Sequence, residues 1–409
     1  MYYTYLQDNF MRQLGIPEFR SWQEAPFEAI LSGRDIFVMV STAGGKSLLY
    51  QLAALIGEGL TLVISPHRAL QADQVVYLRS KGIAATFLNS DQSKSERGAI
   101  LADLPHIQLL YLAPEQLDKD DLLEALSGCW VARVAVDEAH VLPQVKDGFR
   151  KAYGKIGTFI ASLPRHPQII ACTATAAPKT RRQILESLGV PNADVFCTPV
   201  RRDNLSLEVK RVEDQNVLYC SVESALNKWK QAKKKDRGSV IIYCPTVAGV
   251  KRMHNWLKAR GWNVQKYTGK MLQGKRKEAM ERFMSGESPI MIATNAFGLG
   301  VNKPDVRLVL HAGMPLSMSG YVQEVGRAGR DGKAAKCLLF YTRGDYGRNK
   351  GILTHGVSQE SARQAVNDLD ALARMLKSDK CLWRQIEHYL GEKPGKDCRE
   401  CCRCRFKGV

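Results

Sequence analysis

Short apolar runs alternate along the chain with longer, more polar stretches compatible with helices. The first set of runs is rich in β-branched side chains and comprises Asp35–Val40, Thr61–Ser65, Gln108–Leu112, Val131–Val136 and Gln168–Thr173. Continuous hydrophobicity of this kind is typical of strands that are buried on both faces of a parallel sheet. The first part of the chain is therefore predicted to be an α/β domain built from βαβ units.

The alternation stops near Pro199 and the polar stretch Arg201–Asn204 and then resumes. The second set of predicted strands comprises Ser239–Cys244, Val264–Tyr267, Pro289–Ala293, Val306–His311 and Lys336–Tyr341. Between the two sets lies a basic segment, Lys228–Arg237, which we interpret as a solvated helix face. The pattern indicates a second α/β domain in series with the first.

The chain has a different character after Tyr341, where the predicted strands end. Apolar side chains between about Ser358 and Leu376 recur at helical spacing, and we expect two helices leading into a cluster of cysteines. The predicted domains are therefore residues 1–200, residues 201–343, and a small helical part at residues 344–409.

Composition narrows the class of protein. The 409 residues include 59 Lys+Arg against 41 Asp+Glu, and the formal net charge of +18 favours an anionic partner, most commonly nucleic acid. A generally basic, soluble surface is the alternative. The apolar runs are far shorter than the ~20 residues of a membrane span, and no secretion signal is visible. We expect an intracellular protein of the cytoplasm, nucleoid or nucleus, with no membrane contact.

The eleven cysteines fall into a scattered group and a C-terminal group. An odd total without a secretion signal favours reduced thiols over a disulfide framework. The spacing Cys381-x16-Cys398-x2-Cys401-x2-Cys404 suits a closed structural zinc site with four thiolate ligands. Cys402 is the spare cysteine, and ligand exchange with Cys401 is conceivable. A redox-labile or disordered tail is the alternative.

A glycine-rich segment, Met39–Ser47, follows a predicted strand and precedes an apolar helix. Backbone N–H groups at a helix N-terminus bind phosphate oxygens, Lys46 would reach the β- and γ-oxygens, and the Ser47 hydroxyl would ligate Mg²⁺. The candidate ATP contacts are Thr42, Gly44, Gly45, Lys46 and Ser47. Val40 occupies the first glycine position of the strict GxxxxGKS pattern, and a glycine-rich turn with an incidental lysine is the alternative.

Asp137 and Glu138 directly follow the predicted strand Val131–Val136. Two adjacent carboxylates at this place can divide the work of metal-assisted hydrolysis. Asp137 would hold Mg²⁺, and Glu138 would orient or deprotonate the attacking water. Because open α/β sheets bind ligands beyond the carboxyl ends of their strands, this pair and the phosphate loop would face one pocket. For an isolated Asp-Glu pair, a solvated turn is the alternative.

In this order the motifs resemble those of the superfamily 2 helicases and, within them, the RecQ family. The resemblance extends over almost the whole chain, from about Leu14 to Cys404. It implies an α/β fold with two tandem RecA-like parallel-sheet domains, followed by a small helical zinc-binding subdomain. It also implies ATP, Mg²⁺ and Zn²⁺ as cofactors.

The resemblance assigns roles to further segments of the first domain. In Gly15–Gln23, Gln23 would read the adenine edge, while Phe19 and Arg20 would shape the base pocket. Ser65-Pro66 and Leu88-Asn89-Ser90 resemble loops that touch the DNA backbone. Thr173-Ala-Thr175 resembles the hydroxyl motif that links the ATP state to domain movement.

The most specific string in the chain is Tyr321–Gly332, in the second domain. Arg327 and Arg330 are three residues apart and would present one face of a helix. The resemblance implies that both enter the ATP pocket and stabilise charge on the γ-phosphate, with Gln323 also contacting the nucleotide. A solvated basic helix is the alternative. Closure around ATP would then change the spacing of the two domains on a strand.

The sequence departs from the family pattern at three places. Ala43 stands where the family's phosphate loop usually has glycine, and its methyl group would crowd the phosphates. Val145 and Asp147 replace a tryptophan and a histidine of the aromatic-rich loop, which couples DNA binding to hydrolysis. The sequence ends five residues after Cys404, so no winged-helix domain is expected in it. The basic tail residues that would add DNA-backbone contacts are Arg399, Arg403, Arg405 and Lys407.

The leading hypothesis is an ATP- and Mg²⁺-dependent translocase that moves 3′→5′ on single-stranded DNA and opens tailed duplex DNA. The polarity comes from the resemblance alone. One alternative is a DNA-stimulated ATPase with little unwinding, because the aromatic-rich loop is altered and the winged helix is absent. Another is a non-catalytic DNA-binding scaffold whose nucleotide site has decayed through Ala43. An RNA helicase fits the Tyr321–Gly332 string and the zinc spacing less well.

Overall fold

The chain folds into two compact units, Met1–Thr198 and Pro199–Val409. The computed structural model describes residues 2–41, 44–66, 68–144, 148–298 and 303–405. Each unit is built around its own parallel β-sheet, which confirms the predicted fold class. Within the described ranges, no helix is long and apolar enough to cross a membrane.

The first unit alternates strands and helices. Its strands are β1 (Ile36–Met39), β2 (Leu60–Ile64), β3 (Ala85–Leu88), β4 (Leu109–Leu112), β5 (Val131–Val136), β6 (Gln168–Thr173) and β7 (Asp194–Cys197). Its helices are α1 (Tyr2–Gln13), α2 (Glu24–Leu31), α3 (Lys46–Ile56), α4 (Arg68–Ser80), α5 (Lys94–Ala102), α6 (Asp120–Ser127), α7 (Ile156–Ser162) and α8 (Pro178–Ser187). All five predicted strands are present, and β3 and β7 are additional.

The order of strands in the first sheet places the candidate motifs side by side. The order is β3-β4-β2-β5-β6-β1-β7, and all neighbours are parallel. Because β5, β6 and β1 are consecutive, the segments that leave their carboxyl ends are neighbours at one edge of the sheet. The strands in the middle are buried on both faces, as the continuous apolar runs require; β1 and β2 are buried at every position.

The second unit repeats this architecture. Its strands are β8 (Leu205–Arg211), β9 (Ser239–Tyr243), β10 (Val264–Tyr267), β11 (Ile290–Ala293), β12 (Val306–Ala312) and β13 (Ala335–Tyr341). Its helices are α9 (Gln215–Gln231), α10 (Lys234–Arg237), α11 (Val247–Lys258), α12 (Gln273–Met284), α13 (Met318–Val325), α14 (Asp345–Thr354), α15 (Gln359–Lys377), α16 (Leu382–Tyr389) and α17 (Cys402–Arg405). The sheet order is β10-β11-β9-β12-β13-β8, again with parallel neighbours.

One expectation for the second unit needs correction. The strand β8 was not predicted, although it lies just after the polar stretch Arg201–Asn204. The part after Tyr341 contains two helices, α14 and α15, before Cys381, as expected, and α16 lies between Cys381 and Cys398. The apolar pattern near Ser358 corresponds to α15, whereas α14 buries few side chains.

The C-terminal segment covers the free edge of β8. The Trp383 indole Nε1 donates to the Leu205 carbonyl at 3.3 Å, and the Val209 N–H donates to Cys402 Sγ at 3.5 Å. Arg405 donates to the Glu208 carboxylate at 2.7 Å. The first two contacts satisfy outward backbone groups on an edge strand, which would otherwise be open to pairing with another strand.

Candidate functional site

Two glycines shape the segment between β1 and α3. A Cβ on Gly44 would lie 2.6 Å from Val40 Cγ2 and 2.8 Å from the Ser41 carbonyl oxygen, closer than side chains approach. Gly45 has φ +90°, a conformation that disfavours other residues, and it immediately precedes α3, which begins at Lys46. The loop therefore leads directly into a helix N-terminus, whose unsatisfied N–H groups suit an anion. Thr42 and Ala43 lie outside the described residues.

The predicted base-recognition segment contacts this loop. Gln23 is buried, and its Nε2 donates to the Gly45 carbonyl at 2.9 Å. Its Oε1 accepts a hydrogen bond from the Arg20 backbone N–H at 2.8 Å. Phe19 packs edge-on against Phe27, with ring centroids 5.3 Å apart. The structure thus brings the predicted adenine-binding and phosphate-binding segments together.

The acidic pair leaves the carboxyl end of β5, two strands from β1. Asp137 Oδ1 accepts a hydrogen bond from the Glu138 N–H at 3.0 Å. Glu138 has φ +52°, a left-handed conformation that is uncommon for a residue with a side chain and is found preferentially at functional sites. This backbone turn redirects the chain immediately after the strand.

His140 connects the acidic pair to the hydroxyl motif after β6. Its Nδ1 lies 3.2 Å from Glu138 Oε2 and 3.0 Å from Thr173 Oγ1. Thr173 Oγ1 in turn accepts from the Thr175 N–H at 3.3 Å. His140 lies two residues after Glu138, and no role was assigned to it from the sequence. A hydrogen-bonded path therefore joins the two motifs within the first unit.

Burial sets the electrostatics of Asp137. Its side chain is withdrawn from water, and this desolvation, together with the neighbouring Glu138 carboxylate, raises the pKa of Asp137 to about 6. The Lys46 ammonium opposes this shift. Tyr153, which sequence reasoning missed, donates its hydroxyl to the Asp137 carbonyl at 3.3 Å. No motif signalled Tyr153, because it lies 16 residues downstream.

The donor chemistry of this edge fits magnesium. Asp137 offers a carboxylate, and Ser47, in the first turn of α3, offers a hydroxyl. Mg²⁺ prefers such oxygen ligands and is usually held by one or two carboxylates together with substrate phosphates. A cation beside Asp137 would also offset the cost of burying an ionised carboxylate.

Arg327 and Arg330 do not lie on a helix, which corrects the prediction. The helix α13 carries Gln323 in its last turn and ends at Val325. Both arginines follow in a tight turn, residues 326–330, which we call the arginine turn. Gly326 caps the helix, and Gly329 has φ +52° within the turn. Two glycines within four residues end a short helix, so the three-residue spacing does not describe one helical face.

The turn is clamped by residues from the start of the second unit. Arg202 Nη1 donates to the Gly326 carbonyl at 3.1 Å, and its Nη2 donates to the Gly329 carbonyl. Asn204 Nδ2 also donates to the Gly329 carbonyl, at 2.9 Å. Sequence reasoning missed this clamp, because Arg202 and Asn204 stood out only as part of a polar stretch.

Arg327 of the turn is buried, and Arg330 is half-buried. Arg327 is 5% exposed, and its Nη1 donates to the Gly298 carbonyl. Desolvation and the nearby charge of Arg327 lower the pKa of Arg330 to about 10, and Arg202 adds to this effect. Three guanidinium groups concentrated in this way favour an anionic ligand, which would relieve their mutual repulsion.

The four predicted zinc ligands are brought together. The Sγ atoms of Cys381, Cys398, Cys401 and Cys404 all lie within 4.8 Å of one another. Backbone N–H groups point at the sulfurs, as between Cys401 N and Cys398 Sγ at 3.2 Å. Four convergent thiols match the ligand set of a closed structural zinc site.

Cys402 does not join the cluster. Its Sγ instead accepts a hydrogen bond from the Val209 N–H on β8, and the structure places Cys401 with the other three cysteines. Among the basic tail residues, Arg403 donates to the Leu376 carbonyl at 3.0 Å, and Arg405 pairs with Glu208. Val145, Asp147 and Lys407 lie outside the described residues.

Two family models match the chain, one in each unit. Residues 20–184 match the DEAD/DEAH box helicase family. Residues 221–332 match the helicase conserved C-terminal domain. The first match spans the phosphate loop and the acidic pair, and the second spans the arginine turn.

Solved structures share the fold. The Saccharomyces cerevisiae protein Dbp5 bound to RNA and ADP BeF3 has a TM-score of 0.66 at 17% identity, covering 93% of this chain and 97% of that chain. Mss116p bound to single-stranded RNA and AMP-PNP has a TM-score of 0.67 at 17% identity, covering 93% and 87%. At this level of identity the likeness concerns the fold alone.

Sequence relatives identify the family. The Bacillus subtilis "ATP-dependent DNA helicase RecQ" is 34% identical over 95% of this chain, which spans 65% of that relative's length. The Pasteurella multocida RecQ is 35% identical, and the chain spans 60% of it. The Synechocystis RecQ is 37% identical over 81% of this chain and 70% of its own length. The chain therefore belongs to the RecQ family of superfamily 2 helicases.

Proposed function

We propose that the chain hydrolyses ATP and couples hydrolysis to 3′→5′ movement on single-stranded DNA, with separation of the strands of tailed duplexes. The relatives with substantial identity are named ATP-dependent DNA helicases. The chain spans under two thirds of the length of several of them. An enzyme of this class works where DNA is, so the proposed location is intracellular.

One observation carries this proposal. The phosphate loop, the hydroxyl motif and the acidic pair leave the carboxyl ends of β1, β6 and β5, which are consecutive strands. His140 joins the last two motifs by contacts of 3.0 and 3.2 Å. Such a path lets a change at the nucleotide alter the position of Thr173 and the segment after it, as coupling requires.

Each residue of the first unit then has a proposed role. Backbone groups of the loop, with Thr42, Gly44 and Gly45, hold the phosphates, and Lys46 neutralises the β- and γ-oxygens. Gln23, with Phe19 and Arg20 beside it, recognises the base. Ser47 and Asp137 would hold Mg²⁺, which supplies charge neutralisation at the phosphates when bound. Glu138 orients the attacking water and accepts its proton.

The roles proposed for the second unit concern charge and structure. Arg327 and Arg330 stabilise negative charge developing on the γ-phosphate, with Gln323 contributing to the nucleotide contact. Cys381, Cys398, Cys401 and Cys404 would hold a structural zinc ion, which ties the C-terminal segment to β8. The single-stranded DNA path is proposed along the loops Ser65-Pro66 and Leu88-Asn89-Ser90 of the first unit.

The function is tested by measuring ATP turnover and strand separation on the same preparation. We expect single-stranded DNA to stimulate turnover and a 3′-tailed duplex to open, while a 5′-tailed duplex stays closed. Lys46→Ala is the matched control and should abolish both activities. Opening of the 5′-tailed duplex would contradict the polarity, and turnover without strand release would limit the function to a DNA-stimulated ATPase.

The Arg202 clamp gives a separate prediction. Arg202→Ala removes two hydrogen bonds that hold the arginine turn, and kcat should fall about tenfold, corresponding to ~1.4 kcal/mol in the barrier. The KM for ATP should change little, because Arg202 bonds to backbone carbonyls of the turn. Steady-state kinetics separates the two constants. Arg202→Lys keeps the charge with fewer donors and should restore part of kcat, whereas a rise in KM alone would argue against positioning.

A further inference from the structure

The excess of positive over negative charge lies in one of the two units. The first unit, residues 1–198, has 19 Lys+Arg and 20 Asp+Glu, and 19 − 20 gives −1. The second unit, residues 199–409, has 40 and 21, and 40 − 21 gives +19. The arginine turn accounts for only a small part of this excess. A large basic surface on the second unit is therefore left without a role.

Part of the excess lies where α9 ends and α10 leads into β9. Lys228 and Lys230 lie in the last turn of α9, and Lys233, Lys234 and Lys235 follow at once. All five side chains are exposed, and no described carboxylate forms an ion pair with any of them. Uncompensated, solvent-exposed lysines in this number favour a polyanionic partner.

Three tryptophans support this region and complete what we call the tryptophan–lysine surface. Trp229, Trp256 and Trp262 each pack against the apolar core between the helices and the sheet. A cation lies over each ring: Arg237 at 5.7 Å from the Trp229 centroid, Arg260 at 3.7 Å from Trp256, and Lys230 at 5.4 Å from Trp262. Cation–π contacts thus hold several of the positive charges in place.

The surface lies at the amino edge of the second sheet. The segments Lys234–Arg237 and Trp262–Asn263 precede β9 and β10, so they lie at the amino ends of these strands. The loops after β9 and β11 follow carboxyl ends, whereas the arginine turn leads into β13, and its Gly329 N–H donates to the Val306 carbonyl at the amino end of β12. Ligands of open α/β sheets bind at the carboxyl edge. The tryptophan–lysine surface therefore lies away from the usual ligand edge of its sheet.

The arrangement of the rings discriminates between kinds of nucleic acid. Proteins that bind single strands offer free aromatic faces on which bases stack. Here each tryptophan has one side against the core and a cation over its ring, as with Arg260 on Trp256. Two of the indole N–H groups are also satisfied within the protein, Trp229 by the Arg237 carbonyl and Trp262 by Glu223. The groups that remain available to a nucleic acid are the positive charges, which bind the phosphate backbone.

We propose that the tryptophan–lysine surface is a second DNA-binding site, which holds the phosphate backbone of duplex DNA. Double-stranded DNA has the highest density of backbone charge, about one per 1.7 Å of axis, and suits a broad basic face without a groove for bases. The site adds a duplex contact to the proposed action on single strands. It would hold the duplex while the motif-bearing loops act on the strand.

The test uses the full chain and the triple variant Lys233→Ala, Lys234→Ala, Lys235→Ala. These side chains are exposed and make no hydrogen bonds to the part of the chain that the structure describes, so the fold should be preserved. Binding of a fluorescent blunt duplex is measured by anisotropy as a function of salt. We expect the Kd to rise about tenfold and the log–log salt slope to fall by about 2–3, since each lost phosphate contact removes ~0.9. Single-strand-stimulated ATP turnover should be unchanged.

The matched control is Lys380→Ala, Lys393→Ala, Lys396→Ala, which removes three exposed charges elsewhere on the same unit. Equal weakening by both triple variants would attribute the effect to net charge and overturn the proposal. Unchanged duplex binding in the first variant would also overturn it, and loss of poly-glutamate binding alone would assign the surface to an acidic protein instead. Failure of the proposed helicase function would appear separately, in the turnover of the parent chain.

Discussion

Replacing Glu138 by glutamine is expected to reduce ATP turnover by roughly 10²–10⁴-fold, the usual contribution of a general base. The amide has nearly the shape of the carboxylate and can still lie beside His140, but it cannot accept a proton from water. ATP binding should persist, because Lys46, Ser47 and Asp137 are unchanged. Single-turnover hydrolysis and binding of a non-hydrolysable analogue, measured side by side, separate the chemical step from affinity.

A matched control for this variant is Glu124→Gln. Glu124 is an exposed residue of α6, so the same chemical change is made away from the motifs. Its turnover should equal that of the parent chain. If Glu138→Gln retained more than about a tenth of the parent turnover, the residue would not be the base, and the acidic pair would act through Asp137 alone.

Replacing Cys401 by serine is expected to remove bound zinc and destabilise the second unit. Cys401 is fully buried, and its Sγ lies 3.5 Å from that of Cys404 and accepts from the Leu382 N–H. Structural zinc sites contribute ~10–16 kcal/mol of apparent binding energy, so losing one ligand should cost several kcal/mol of stability. Metal analysis of the purified chain and thermal unfolding give the two readouts.

The neighbouring cysteine provides the control. Cys402→Ser makes the same change one residue away, at a thiol that contacts Val209 and lies outside the cluster. This variant should keep one zinc per chain and lose little stability. Equal zinc content in the parent and Cys401→Ser would refute the four-cysteine site, and zinc loss in Cys402→Ser would show that ligands exchange.

Burial explains which strands could be predicted from sequence. The strands β1, β2, β5 and β6 lie inside the sheet, and both of their faces are covered, so their sequences are continuous apolar runs. The missed strands β3, β7 and β8 all lie at sheet edges. In β8 the residues Leu205, Leu207 and Val209 alternate with polar ones, a period-two signal that a search for continuous runs overlooks.

The candidate site was predictable where its residues are neighbours in sequence. The phosphate loop and the acidic pair are short strings whose position after a strand could be read directly. The Arg202 clamp joins residues 124 positions apart, so only the fold brings them together. The helix predicted for Arg327 failed for a local reason, since Gly326 and Gly329 favour a turn that overrides the three-residue spacing.

The covered edge of β8 determines how the second unit would aggregate after the C-terminal segment is lost. Displacing the C-terminal segment frees the Leu205 carbonyl and the Val209 N–H while the sheet behind them stays folded. A folded sheet with an exposed edge is a template for adding a strand from another molecule. The first product of such damage would then be chains that pair through their exposed β8 edges while their cores remain folded. By holding the C-terminal segment on this edge, the cysteine cluster would protect the second unit against self-association.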